Sequence, residues 1–227
     1  FEAVYGDIAR VILENDQDNV VFQMPNSWKS ESEFEDTTDW FTMAYSQARY
    51  TYPICLPFDI NERYICVHIR RGDLLPGQVF EHLGYRMLSD QFYEIMIRMV
   101  CRLVDLHNWN LLILTDGLNG NAVSDKGDLS RWELKLDDLQ FKEISIKTAG
   151  PFLEDFHAMV SSDLLIGSRS GMSHLAANLG SGIKLMPEFW NSYRFAHSVI
   201  EFSGTEGDVE AKSELVKKLL NGASYND

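Results

Sequence analysis

The sequence predicts an α/β fold built on a doubly wound parallel sheet. Three features carry that expectation. Short apolar runs of strand length alternate with longer stretches of helical period from residue 64 onward. The runs Tyr64–Arg70, Leu111–Asp116 and Asp163–Gly167 read as buried strands. The first and last of these empty into polar and charged residues, which is where open α/β sheets bind ligands.

Taken in order, residues 1–60 form a region of different texture. A helical period runs from Phe1 to Leu13 (Val4, Ile8, Val11, Ile12), and Val20-Val21-Phe22 is a short strand candidate. An acidic, Ser-rich loop spans Lys29–Thr38, a second helix is expected over Trp40–Tyr50, and Pro53 and Pro57 punctuate the passage onward. This stretch reads as a partial or reduced N-terminal region, and 61–227 as the domain that carries the sheet.

In the second region the strand reaching Arg70 is followed by a loop with Pro76 and Gly77. A helix then starts from an N-cap at Ser89 and carries Phe92, Ile95, Met96, Met99, Val100 and Leu103 on one face. The next strand closes on Asp116. A polar connection covers 119–138, and Glu143–Lys147 alternates as a strand. Phe152–Val160 is a helix and Asp163–Gly167 a further buried strand. It opens into Ser168-Arg169-Ser170-Gly171-Met172-Ser173, after which a helix is expected over His174–Leu179, stopped by Gly180. Helical spacing returns over Glu210–Leu220.

Charge narrows the partners. The 227 residues hold 34 acidic against 20 basic side chains, a formal net charge of -14. Nucleic acid and anionic membrane surfaces are therefore poor partners, and basic residues that matter must act locally. Cys55, Cys66 and Cys101 are too few and too scattered for a disulfide framework or a metal site, so Cys66 and Cys101 read as core filling. No apolar run approaches the roughly 18 residues of a membrane span, and no signal peptide is visible. The chain opens on Phe1 in mid-pattern. The expectation is a soluble protein, cytoplasmic or, behind an upstream anchor, lumenal in the Golgi or endoplasmic reticulum.

The two polar strand ends carry the chemistry. Tyr64-Ile65-Cys66-Val67-His68-Ile69-Arg70-Arg71-Gly72-Asp73 places two guanidiniums at a strand end, a site suited to a phosphorylated ligand. Because side chains alternate along a strand, one of Arg70 and Arg71 is expected to face that site and the other to support the loop or pair with an acidic neighbour. Ser168 to Ser173, leading into a helix, has the chemistry of an anion cradle: small residues, hydroxyl donors and a helix N-terminus. Neither a P-loop nor a Gly-x-Gly-x-x-Gly pattern is present. For single residues the plainer readings are a hydrogen-bonded core imidazole at His68, a solvated helix face at Asp155 and His157, and a turn carboxylate at Asp116.

His68-Ile69-Arg70-Arg71-Gly72-Asp73 resembles the His-x-Arg-Arg-x-Asp motif of GDP-fucose-dependent α1,2- and α1,6-fucosyltransferases, with protein O-fucosyltransferases as more distant relatives. The likeness runs on through Leu112–Asp116, Asp155-Phe156-His157 and Asp163–Ser173, in the same order and with similar spacing, over about residues 62–190. It implies a Rossmann-like nucleotide-sugar domain of the GT-B type. It also implies GDP-L-fucose as donor substrate, with no other cofactor and no metal; no Asp-x-Asp motif stands near the two strand ends.

Residue by residue, the resemblance puts guanine on His68 and Asp155 and the β-phosphate on Arg70. A carboxylate suits guanine because it accepts from N1–H and the 2-amino group together. Arg71, Ser168, Arg169, Ser170, Gly171, Met172 and Ser173 complete the expected binding set. Ser170-Gly171-Met172 stands where the α1,6 enzymes have Ser-Ser-Gln, so backbone donors and the hydroxyls of Ser168, Ser170 or Ser173 carry over but a Gln amide does not. The catalytic base falls on Glu81, with Asp73 and His82 as rivals. A complete GT-B enzyme has an acceptor-side domain that the 67 residues before His68 do not supply, which implies a compact variant or part of a larger protein.

The expected activity is inverting transfer of L-fucose to a glycan or glycoprotein hydroxyl. A transferase of another nucleotide sugar on the same scaffold, or a non-catalytic domain binding GDP or glycan, are the alternatives.

Overall fold

A computed structural model describes residues 45–47, 56–59, 61–74, 77, 81–115, 136, 138–148, 150–189 and 198–222. All belong to one unit, Phe34–Asp227. The expected elements at 1–13, 20–22 and 29–38, together with Cys55, Asp116 and the side chain of Asp73, lie outside the described residues. Of the helix expected over Trp40–Tyr50, Tyr45–Gln47 is described and is helical.

Six parallel strands form one sheet: β1 (Tyr64–Ile69), β2 (Asn110–Thr115), β3 (Glu143–Thr148), β4 (Leu164–Ile166), β5 (Ile183–Pro187) and β6 (Val199–Phe202). Their spatial order is β3-β2-β1-β4-β5-β6, the Rossmann-like order, in which the winding reverses between β1 and β4. Among the described residues, α1 (Asp90–Cys101) lies between β1 and β2, α2 (Phe152–Ser161) between β3 and β4 and α3 (Gly171–Leu179) between β4 and β5, while α4 (Glu206–Gly222) follows β6.

Alternation along β1 divides the core. Ile65, Val67 and Ile69 pack with Phe92, Tyr93, Met96 and Val100 of α1 and with Val209 and Val216 of α4. Tyr64 and Cys66 pack on the other face with Phe156 and Met159 of α2 and Ala176 and Ala177 of α3. With helices on both faces, every residue of β1 and β2 is buried, which is why both read as continuous apolar runs. Each fully buried large apolar side chain contributes about 1.5–3 kcal/mol. The Tyr64 hydroxyl donates to the Ala158 carbonyl at 2.7 Å and its N–H to Asp163 Oδ2 at 2.9 Å, tying the start of β1 to α2 and to the entry of β4.

Several boundaries differ from the sequence expectation. α3 begins at Gly171, three residues before His174, because Ser170 caps it: its Oγ accepts from the Met172 N–H at 3.2 Å. α4 starts at Glu206, four residues before Glu210. The stretch after β1 is not plain loop but holds short 3-10 segments at Gly72–Leu74 and Glu81–Arg86. β5 and β6 were not expected at all. In β5 a lysine interrupts the apolar run, yet Lys184 is 2% exposed and its Nζ donates to the Gly180 carbonyl at 2.5 Å, closing the C-terminus of α3.

Candidate functional site

The carboxyl ends of β1 and β4 lie side by side at the reversal of the sheet. The register pairs Val67 with Ile166, which sets Gly167 beside His68. A Cβ on Gly167 would overlap the sulfur and terminal methyl of Met186 on β5, so the glycine leaves room for that side chain. The chain then turns sharply into α3, folding Ser173 back against β1.

The result is a buried polar junction. Ser173 Oγ lies 2.6 Å from His68 Nδ1, 3.2 Å from Ser168 Oγ, and accepts the Ser168 N–H at 3.1 Å. Ser168 Oγ is itself 3.2 Å from His68 Nδ1. His68, Ser168 and Ser173 are all buried. Two elements that are separate in the sequence are thereby joined by three polar side chains at the carboxyl edge of the sheet. Ser170 is spent on capping α3. Gly171 opens that helix with nothing within 4 Å of where a Cβ would sit, so its backbone is approachable. Met172 packs against the α2/α3 side of the core.

Arg70 follows Ile69 at the parity of His68 and is half-buried. Arg71 turns the other way. Its guanidinium donates to the Leu88 carbonyl at 2.6 Å and forms an ion pair with Asp90 in the first turn of α1. It therefore braces the junction between the β1 loop and α1, whose N-cap Ser89 accepts from the Phe92 N–H at 3.3 Å.

Asp155 and His157 are not on a solvated face. His157 is 3% exposed, with Nδ1 3.0 Å from the Tyr45 hydroxyl. Asp155, in the first turn of α2, is half-buried, and its Oδ1 is buried with no hydrogen-bond partner among the described residues. The carboxylate sits over Gly150, where a Cβ would come within 2.6 Å of Oδ1. Burial pushes the Asp155 carboxyl above the ordinary range, with Lys147 opposing and Glu154 reinforcing the shift. Its charge in turn helps to raise the thiol of Cys66, two residues before His68 on the same face of β1, although burial is the larger cause. Asp155 and His68 thus share the α2/α3 side of the sheet.

Among the base candidates, Glu81 is exposed and accepts the Gly77 N–H at 2.9 Å, stapling the loop in which Gly77 has φ +80. His82 is exposed, and Asp73 is the middle residue of the Gly72–Leu74 turn. Arg169 is not brought against the His68 junction. Its guanidinium runs toward α1, donating to the Tyr85 carbonyl at 3.1 Å and lying 5.4 Å from the centre of the Phe189 ring.

Arg86, Tyr85 and Phe189 had no signal in the sequence, because only the fold brings the stretch before α1 to the end of β5. Among the described residues, no group of three or more His, Cys, Asp or Glu could hold a metal ion, and no helix is long and apolar enough to cross a membrane.

No family model and no curated protein matches the chain. Among solved structures, that of POFUT1 in complex with GDP-fucose matches over 75% of this chain and 46% of its own, with 12% identity and a TM-score of 0.31. The chain spans less than half the length of that neighbour, and a likeness of this degree bears on no functional residue.

Proposed function

We propose that the protein is a glycosyltransferase whose crevice between β1 and β4 binds a nucleotide diphosphate sugar, GDP-L-fucose, and transfers the sugar with inversion to an acceptor hydroxyl. The observation that carries this reading is the meeting of the two motif-bearing strand ends at the switch point of the sheet, where His68, Ser168 and Ser173 interlock. The order of motifs along the chain supplies the nucleotide.

In this reading the Asp155 carboxylate, whose buried Oδ1 has no hydrogen-bond partner among the described residues, receives the N1–H and 2-amino group of guanine. Ser173 gives its hydroxyl proton to His68 Nδ1, which leaves Nε2–H as a donor toward the base. Arg70 and the backbone amides at the start of α3 hold the β-phosphate and stabilise the charge that grows on departing GDP. A carboxylate, Glu81 or Asp73, or else His82, removes the acceptor proton. Glu81 must release the Gly77 N–H, or share it, to do so. Arginine and amides carry the phosphate charge, so no metal takes part. The acceptor is a glycan or glycoprotein hydroxyl.

The test is release of GDP from saturating GDP-L-fucose, with and without acceptor glycans, in excess EDTA. Arg70→Ala is expected to lose turnover on the order of 10²–10³ fold, by comparison with deletion of an oxyanion donor. Arg70→Lys should recover little, because an ammonium lacks the bidentate fork. Binding of GDP-L-fucose without turnover would leave a binding domain and overturn the catalytic reading. Activity lost in EDTA and restored by Mg²⁺ would overturn the role given to Arg70.

A further inference from the structure

A second cationic cluster lies at the α1 end of the same sheet edge. Arg86 and Arg169 each place Cζ 5.4 Å from the centre of the Phe189 ring, two residues past β5. Arg86 also lies 5.8 Å from the Tyr85 ring, and the Tyr85 and Phe189 rings are 6.4 Å apart at 41°. Tyr85 is 60% exposed, whereas Arg86, Arg169 and Phe189 are half-buried, so the cluster is partly open to solvent.

Two guanidiniums gathered on one aromatic ring repel each other, and the ring's quadrupole offsets only part of that cost. In a chain of net charge -14 the usual relief is a nearby carboxylate. Among the described residues Arg169 has none within ion-pair reach: its contacts are the Tyr85 carbonyl and the Phe189 ring, and its Nε is buried without a hydrogen-bond partner. The Tyr85 carbonyl and the Phe189 ring fix the position of the Arg169 guanidinium, and an oxyanion is the group that its remaining N–H donors and positive charge suit. This cluster is distinct from the His68 junction, which lies toward α3.

We propose that Arg86, Arg169 and Phe189 form a second oxyanion subsite that takes a carboxylate, sulfate or phosphate group of a substrate. The group belongs either to an acidic acceptor or to the diphosphate of the donor, and naming those two sources rests on the function proposed above. The subsite itself does not.

The experiment uses the full chain and two probes, glucuronic acid (with glucose as its neutral control) and GDP, titrated by calorimetry and NMR. Arg169→Gln should weaken one of the two charged probes at least tenfold and leave glucose unaffected. Loss of glucuronate binding assigns the subsite to an acidic acceptor, and loss of GDP binding assigns it to the donor. Arg86→Gln repeats the measurement should Arg169→Gln fail to fold. If a folded variant binds both charged probes within twofold of wild type, or if wild type binds neither, the subsite is refuted. Arg169-dependent glucuronate binding with no GDP binding would refute the nucleotide-sugar reading and leave the subsite standing.

Discussion

Replacing Ser173 with Ala removes one oxygen from the centre of the polar junction. The loss can be worked from its contacts. The Ser168 N–H, which donates to Ser173 Oγ at 3.1 Å, is left buried without an acceptor, a deficit of about 1–3 kcal/mol. His68 Nδ1 loses its closer partner at 2.6 Å and retains Ser168 Oγ at 3.2 Å, a further loss of about 1 kcal/mol. The expected destabilisation is about 3 kcal/mol, or about 6–12 °C in Tm for a chain of this size. Ser170→Ala is the control. It removes an N-cap that touches neither His68 nor β1, worth about 1 kcal/mol. Thermal unfolding followed by circular dichroism at pH 7 measures both, and the His68 imidazole NMR resonances report the local change. A Ser173→Ala protein that melts within about 2 °C of wild type, or that is no less stable than Ser170→Ala, would refute the junction as the link between β1 and α3.

Gly150→Ala sets a Cβ within 2.6 Å of Asp155 Oδ1 and must displace the carboxylate. GDP affinity by calorimetry should fall about tenfold, the equivalent of about 1.4 kcal/mol, and an unchanged affinity would remove Asp155 from the site. Lys184 tests burial of charge at the opposite end of α3. Burial brings its pKa down from 10.5 to about 8, so between those values the unfolded chain binds more protons than the folded one and stability rises with pH. The rise is about 3 kcal/mol at most, and urea denaturation from pH 7 to 10.5 should show it in wild type and not in Lys184→Met. Parallel pH profiles for the two proteins would contradict the buried charge.

The parts of the fold legible in the sequence are those whose environment is uniform. β1, β2 and β4 are buried on both faces, so their residues are apolar apart from His68 in β1 and Asn110 and Thr115 at the ends of β2, and the polar residues that follow mark the carboxyl edge. β5 escaped notice because Lys184 satisfies its ammonium on Gly180, a contact that exists only once α3 and β5 are packed. β6, an edge strand of four residues with alternating burial, is too short to show a period. At the site, alternation predicts opposite parities for Arg70 and Arg71, but that the partner of Arg71 is Asp90, 19 residues on, follows only from the docking of α1. The burial of Asp155 and His157 was hidden for the same reason: α2 is covered from outside its own sequence, with Tyr45 over His157. Arg169, adjacent in sequence to the serines of the junction, leaves them because Tyr85 and Phe189 meet it on the other side.

The central claim is that the crevice at the switch point selects guanine through Asp155. Calorimetric titration of wild type and Asp155→Asn with GDP, ADP and UDP tests it most directly. Wild type is expected to prefer GDP. Asp155→Asn should lose about 1–3 kcal/mol of GDP binding, roughly five- to 150-fold, because an amide offers one acceptor and a misplaced donor, while ADP and UDP are little changed. Wild-type protein that binds UDP or ADP as tightly as GDP would contradict it.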